Sequence, residues 1–160
     1  MEQGLLYYLL PIHNLFRWVI LILLLIGIVN AAAGMNSNKP FTKSDKTVGL
    51  FLMIFSHTQF LIGLYQWFVS AFGLQLIRAY GFAAVMKDNA MRFWAVEHIT
   101  GMLIAIILIT IGRGASKKNI IDRAKHRRTF WFFFIALVVI LISIPWPFRE
   151  AIGRPWIRGL

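Results

Sequence analysis

The chain has 160 residues, enough for one domain. With 59% hydrophobic side chains and a mean hydropathy of +0.69, it is more apolar than a water-facing globule of this size, so lipid is the expected solvent. Its formal net charge of +11 would suit nucleic acid, but the basic residues fall beside and between apolar runs, which excludes a soluble nucleic-acid module and points to anionic lipid; the lack of cysteine excludes disulfides, thioether-attached haem and a self-ligated iron–sulfur cluster.

A hydrocarbon layer roughly 30 Å thick takes roughly 20 helical residues. Four runs of that length predict an all-α, integral membrane four-helix bundle, a single transmembrane domain over 1–160. The first span is expected at about 12–34, with Tyr7, Tyr8 and Pro11 extending it backward. It ends in Asn30-Ala31-Ala32-Ala33-Gly34, small residues of the kind found at signal cleavage sites, yet no Lys or Arg precedes Arg17. The basic leader of a signal peptide is missing and the run reads as a retained helix. The second span is expected at about 48–69. Between 70 and 90 the chain is too apolar for a solvated linker, with Phe72, Leu74, Leu76, Ile77, Tyr80, Phe82 and Val85, and is expected to lie along the membrane interface or cap the bundle. The third span is expected at about 92–112 and the fourth at about 129–145, closed by Pro145-Trp146-Pro147, which cannot continue a helix. The β-branched run Ala136 to Ile144 would also suit a strand, but an open strand cannot cross lipid. The tail 146–160 alternates aromatic and basic residues and reads as interfacial.

Lys39, Lys43 and Lys46 occupy the first connection, and Arg113, Lys117, Lys118, Arg123, Lys125, Arg127 and Arg128 the third. In a four-span chain these share one side, which the positive-inside bias makes cytoplasmic, leaving both termini and the middle segment outside. The outer segments also carry Arg78, Lys87, Arg92, Arg149, Arg154 and Arg158, which weakens the contrast.

Ionisable groups at membrane depth are expensive and ask for partners. Counted from Val48 and Ile111 at 1.5 Å per residue, His57 lies roughly 14 Å and His98 roughly 20 Å from the basic surface; His13 and Arg17, counted from Gly34, lie roughly 32 Å and 26 Å up. A b-type haem in a helical bundle takes imidazoles from separate helices at similar depth. His57 and His98 are therefore the expected axial ligands, with His13 as the alternative ligand. Trp94, Gly101, Met102, Ala105 and Ile109 share the His98 stripe, and Gly101 would admit a flat ring beside the imidazole. Arg17, one turn from His13, suits carboxylates such as haem propionates, or quinone oxygens.

Each residue also has a plainer reading. His57 would be hydrogen-bonded to Thr58, Gln59 or a neighbouring helix; His13 and Arg17 would be a snorkelling interfacial pair. Glu97 would be a counter-ion to Arg92 or Arg17 instead of a proton relay. The stripe Gln59, Gly63, Gln66 and Ser70 would be helix-packing glue, and His126, within Lys125-His126-Arg127-Arg128, a solvated loop residue.

The motifs His13-Asn14-Leu15-Phe16-Arg17-Trp18, His57-Thr58-Gln59, Arg92-Phe93 with Glu97-His98-Ile99-Thr100-Gly101-Met102, and Ile144-Pro145-Trp146-Pro147-Phe148 span nearly the whole chain. Through them it resembles small bacterial four-helix membrane proteins described as cytochrome b-like, of the haem b family and loosely cytochrome b561-like. The resemblance implies a haem b protein of the bacterial inner membrane that moves single electrons and exchanges them with quinone or a respiratory membrane complex. Unlike larger diheme cytochromes b, the chain does not carry two ligand pairs on two helices. Three other readings compete: a haem-free accessory subunit or homo-oligomer, a metal or proton pathway through His and Glu, and, on a weaker match, a porphyrinogen oxidase with a histidine on its first helix.

Overall fold

The computed structural model describes residues 2–37 and 39–157; Arg158, Gly159 and Leu160 of the predicted interfacial tail lie outside the described residues. The first helix, α1 (Glu2–Met35), has 34 residues. At about 51 Å it outreaches a hydrocarbon core of about 30 Å and begins well before the predicted span. Pro11 lies inside it and brings no N–H to the carbonyl of Tyr7 four residues earlier.

A short turn leads to α2 (Lys43–Val69). Thr42 and Asp45 cap its start reciprocally: Thr42 Oγ1 accepts the Asp45 N–H at 3.4 Å, and Asp45 Oδ2 accepts the Thr42 N–H at 2.8 Å. That box starts the helix before the apolar run that hydropathy marks at Val48. Beyond α2 the chain turns at Gly73, whose φ of 88° lies in the region that glycine alone enters cheaply. Three short helices follow, α3 (Leu74–Tyr80), α4 (Phe82–Lys87) and α5 (Asn89–Arg92). Val85 is buried beneath them, while Phe72, Tyr80, Phe82 and Met86 stay exposed.

From α5 the chain runs through a π-helical turn, Phe93–Glu97, into α6 (His98–Gly114). A 3-10 turn, Ala115–Lys117, precedes α7 (Asp122–Ser143). The last helix starts seven residues before the predicted Thr129. Asp122 sits in its first turn, where a carboxylate suits the helix dipole, and accepts from the Phe41 N–H at 3.0 Å and Lys125 Nζ at 2.8 Å. The basic cluster 123–128 is therefore helical and not a loop.

The described residues contain no strand, and four helices are long and apolar enough to cross a membrane. They form a ring: α1 packs on α2 and α7, and α6 packs on α2 and α7. At the basic end of the ring Phe133 of α7, 1% exposed, fills a socket made by glycines of the other three helices. A Cβ on Gly27 or Gly112 would lie 2.9 Å or 2.8 Å from its ring, and one on Gly49 3.8 Å away. Absent side chains thus let three backbones close around one aromatic ring.

At the other end, the last carbonyls of α7 face two prolines. Leu141 and Ser143 would be paired four residues on with Pro145 and Pro147, which have no N–H. Side chains take over: Trp146 Nε1 donates to Leu141 O at 2.7 Å, Arg149 Nη1 to Ile142 O at 3.0 Å, and His98 Nδ1 to Ser143 O at 2.7 Å.

Candidate functional site

The ring of helices encloses a cavity of about 390 Å³ towards the end opposite the basic loops, within the range of about 300–1,000 Å³ typical of small-molecule sites. One stripe of α1, Leu6, Leu10, His13, Arg17 and Ile20, forms one wall, and Ser56, Gln59, Gly63 and Gln66 of α2 form the next. His98, Met102, Ala105 and Ile109 of α6 face them, with Ile140 and Ile144 from α7 behind. Each set recurs at three or four residues, the spacing that keeps one helix face turned inward.

The π-helical turn shapes the α6 wall. The His98 N–H bonds back to Phe93 O, five residues earlier, so one extra residue is accommodated just before the histidine. Such insertions re-aim the side chains that follow and are frequent at functional sites. Trp67 Nε1 donates to Ala95 O at 2.9 Å and ties the turn to α2.

His98 is held in one tautomer. A carbonyl can only accept, so Nδ1 carries the proton that bonds to Ser143 O, and Nε2 keeps its lone pair. Metal-ligating histidines are commonly oriented in this way, by a backbone carbonyl on the other ring nitrogen. His13 lines the same cavity from α1. Its ring uses the space a side chain at Gly63 would take, since a Cβ there would lie 3.0 Å from His13 Cε1. Gln59 Nε2 donates to the His13 carbonyl at 2.8 Å and joins α2 to α1 at this level.

Several polar atoms around the cavity are buried without a hydrogen-bond partner among the described residues: His13 Nδ1, Arg17 Nε, Ser56 Oγ, Gln59 Oε1 and Gln66 Nε2. Buried polar atoms are rarely left unpaired in folded proteins, and five of them gather around this one cavity.

The tail lies beside the outer mouth. Trp156 O accepts from Arg17 Nη2 at 2.6 Å and from Trp18 Nε1 at 3.1 Å, and the Trp18, Trp146 and Trp156 rings cluster there. Arg17 also bonds Asn14 Oδ1 at 3.3 Å. Arg154 lines the cavity too, with its guanidinium 4.9 Å from the Phe72 ring centroid and 4.8 Å from that of Trp94. Among the described residues, two guanidinium groups border the mouth and no carboxylate lines it.

Three sequence expectations change. His57 does not converge with His98: it is exposed on the outward face of α2, and its Nδ1 donates to Met53 O of its own helix at 2.8 Å. It precedes the cavity-lining Gln59 and follows the buried Ser56; one residue turns a helix by about 100°, and that angle carries the imidazole out of the bundle. Gly101 does not face the cavity either. A Cβ there would collide with Ser143 Oγ, so this glycine lets α6 meet α7 and allows the His98–Ser143 contact. His126 is 2% exposed instead of solvated, packed against Gly34 and 4.9 Å from the Phe41 ring, with neither nitrogen hydrogen-bonded among the described residues.

His13, Arg17 and His98 line the same cavity. The stripe Gln59, Gly63, Gln66 and Ser70, expected as packing glue, lines the cavity. Glu97 matches its plainer reading: exposed, it accepts from Arg92 Nε at 2.6 Å. Arg154 was missed, because an alternating aromatic and basic tail reads as interfacial; the signal was Pro145, Pro147, Gly153 and Pro155, which turn the chain back over the mouth. Among the described residues no three His, Asp or Glu side chains converge, so the donor set at the cavity is the two imidazoles. Comparisons of the chain with protein-family models, curated proteins and solved structures found no match.

Proposed function

We propose that this is a membrane-embedded b-type haem protein that passes single electrons, in which His13 and His98 would hold the haem iron. The observation that carries the reading is one cavity lined by imidazoles from two different helices, one of them locked through Nδ1 so that Nε2 is left to ligate. The residues fit the group. His13 Nδ1 is an orphaned buried nitrogen, Gly63 leaves the space that the His13 ring enters, and two neutral imidazoles are a usual donor set for low-spin haem iron. When bound, haem supplies a one-electron couple, and the surroundings tune its potential.

The chain's own residues would do the rest. Ile20, Ala105, Ile109 and Ile140 supply an apolar wall that excludes water, and Arg17 and Arg154 at the mouth offer forked donors to carboxylates of the propionate type. Gln59, Gln66 and Ser56 provide polar contacts, and the same mouth suits a quinone as exchange partner. The basic end, by the positive-inside bias, would be cytoplasmic in a bacterial inner membrane, with the cavity towards the periplasm.

The test is direct. Purified from membranes in mild detergent, the protein should carry stoichiometric, acid-extractable haem and show Soret and alpha-band changes on dithionite reduction. A protein that stays colourless after expression with added haem precursor defeats the reading.

A further inference from the structure

The outward face of α2 contains a polar group in the middle of the apolar layer. His57 lies about 21 Å from Lys43 and about 18 Å from Val69 at 1.5 Å per residue, near the centre of the helix, and it is exposed. Its neighbours on that face are Leu50, Ile54, Leu61 and Phe68, all exposed, with Thr58 beside it. Ionisable side chains at such depth almost always face a bundle interior or a partner, because lipid tails offer no hydrogen bond.

The chemistry of the face selects the partner. His57 Nδ1 donates to Met53 O, so Nε2 is an acceptor. The Thr58 hydroxyl, a donor, makes no hydrogen bond among the described residues and lies one position further round the helix. Two copies of one chain inserted with the same orientation are related by a two-fold axis along the membrane normal, which sets equivalent residues at equal depth. Acceptor and donor side by side then meet donor and acceptor at the same level.

From this we infer that two copies of the chain associate through α2, with the His57 ring of each accepting from the Thr58 hydroxyl of the other and the leucine, isoleucine and phenylalanine side chains packing around them. Histidine and threonine side chains are known to bridge helices within lipid. The proposal does not depend on what the cavity holds.

The absence of cysteine makes the test clean. Ile54→Cys and Leu61→Cys flank His57 by about one turn each, and Ile104→Cys and Ile135→Cys, both 46% exposed, serve as controls on α6 and α7. After copper-phenanthroline oxidation in native membranes, the α2 variants should form a product of twice the chain mass at least tenfold more efficiently than the controls. Adding His57→Leu should reduce that product severalfold, with the pigment, if present, unchanged. Equal cross-linking from all faces, no product from α2, a product of some other mass, or full cross-linking despite His57→Leu would each overturn the inference.

Discussion

The Phe133 socket yields two predictions of opposite sign from one chemical change. Gly112→Ala puts a Cβ 2.8 Å from the Phe133 ring and 3.0 Å from Phe132 Cβ, closer than side chains sit in folded proteins. The ring has little room to retreat, because Gly27 lies against its opposite edge. Overpacking of a locked core costs about 1–3 kcal/mol; alanine's higher helix propensity returns up to about 1 kcal/mol, for a net loss of about 1–2 kcal/mol. Gly114→Ala, with nothing within 4 Å and helical dihedrals of −58° and −20°, meets no such barrier and should gain about 0.5–1 kcal/mol. At about 2–4 °C per kcal/mol for a chain of this size, thermal unfolding in detergent should fall by about 2–8 °C for the first variant and rise slightly for the second. Phe133→Ala should itself cost about 3–5 kcal/mol. In that background Gly112→Ala should lose most of its penalty, a coupling that a double-mutant cycle measures. The reasoning is refuted if Gly112→Ala stabilises the protein, or if its effect is the same with and without the Phe133 ring.

Three further outcomes follow. Thr42→Ala removes one half of the α2 capping box and should cost about 1 kcal/mol, read as a small loss of thermal stability with cavity properties intact. His126→Phe replaces a buried ring whose two nitrogens have no partner; deleting unpaired polar atoms should leave stability unchanged or raise it by about 1–2 kcal/mol, whereas a large loss in denaturation would show that His126 has a partner. Trp18→Phe combined with Arg17→Ala removes both donors to Trp156 O, so chymotrypsin should cut after Trp156 several times faster, and an unchanged rate would disconnect the tail from the mouth.

Much of the fold is legible in the sequence because helices long and apolar enough to span are set by hydropathy over whole runs, which four apolar stretches satisfy. The ends were less so. Thr42 and Asp45, and Asp122 with Lys125, start helices through polar contacts that lie outside the apolar runs. The site was half legible. His98, Trp94, Met102, Ala105 and Ile109 follow from helical spacing on one helix, but the partner of His98 depends on how each helix is rotated about its axis. Residue counting puts His57 near the depth of His98, but its side chain faces out of the bundle. Counted along its helix, His13 lies higher than His98, yet both line one cavity, and residue counts on separate helices do not show that. The π-helical turn before His98 and the fold-back of the tail are tertiary features, with only prolines and a glycine to announce the second.

The central claim is that His13 and His98, not His57, grip a shared prosthetic group. A reduced-minus-oxidised spectrum and haem content recorded for His13→Ala, His98→Ala and His57→Ala, beside the unaltered protein, test it most directly. The account predicts that the first two lose the low-spin bands and most of the haem while His57→Ala retains both. Retained bands in His13→Ala or His98→Ala, or their loss in His57→Ala alone, would contradict it.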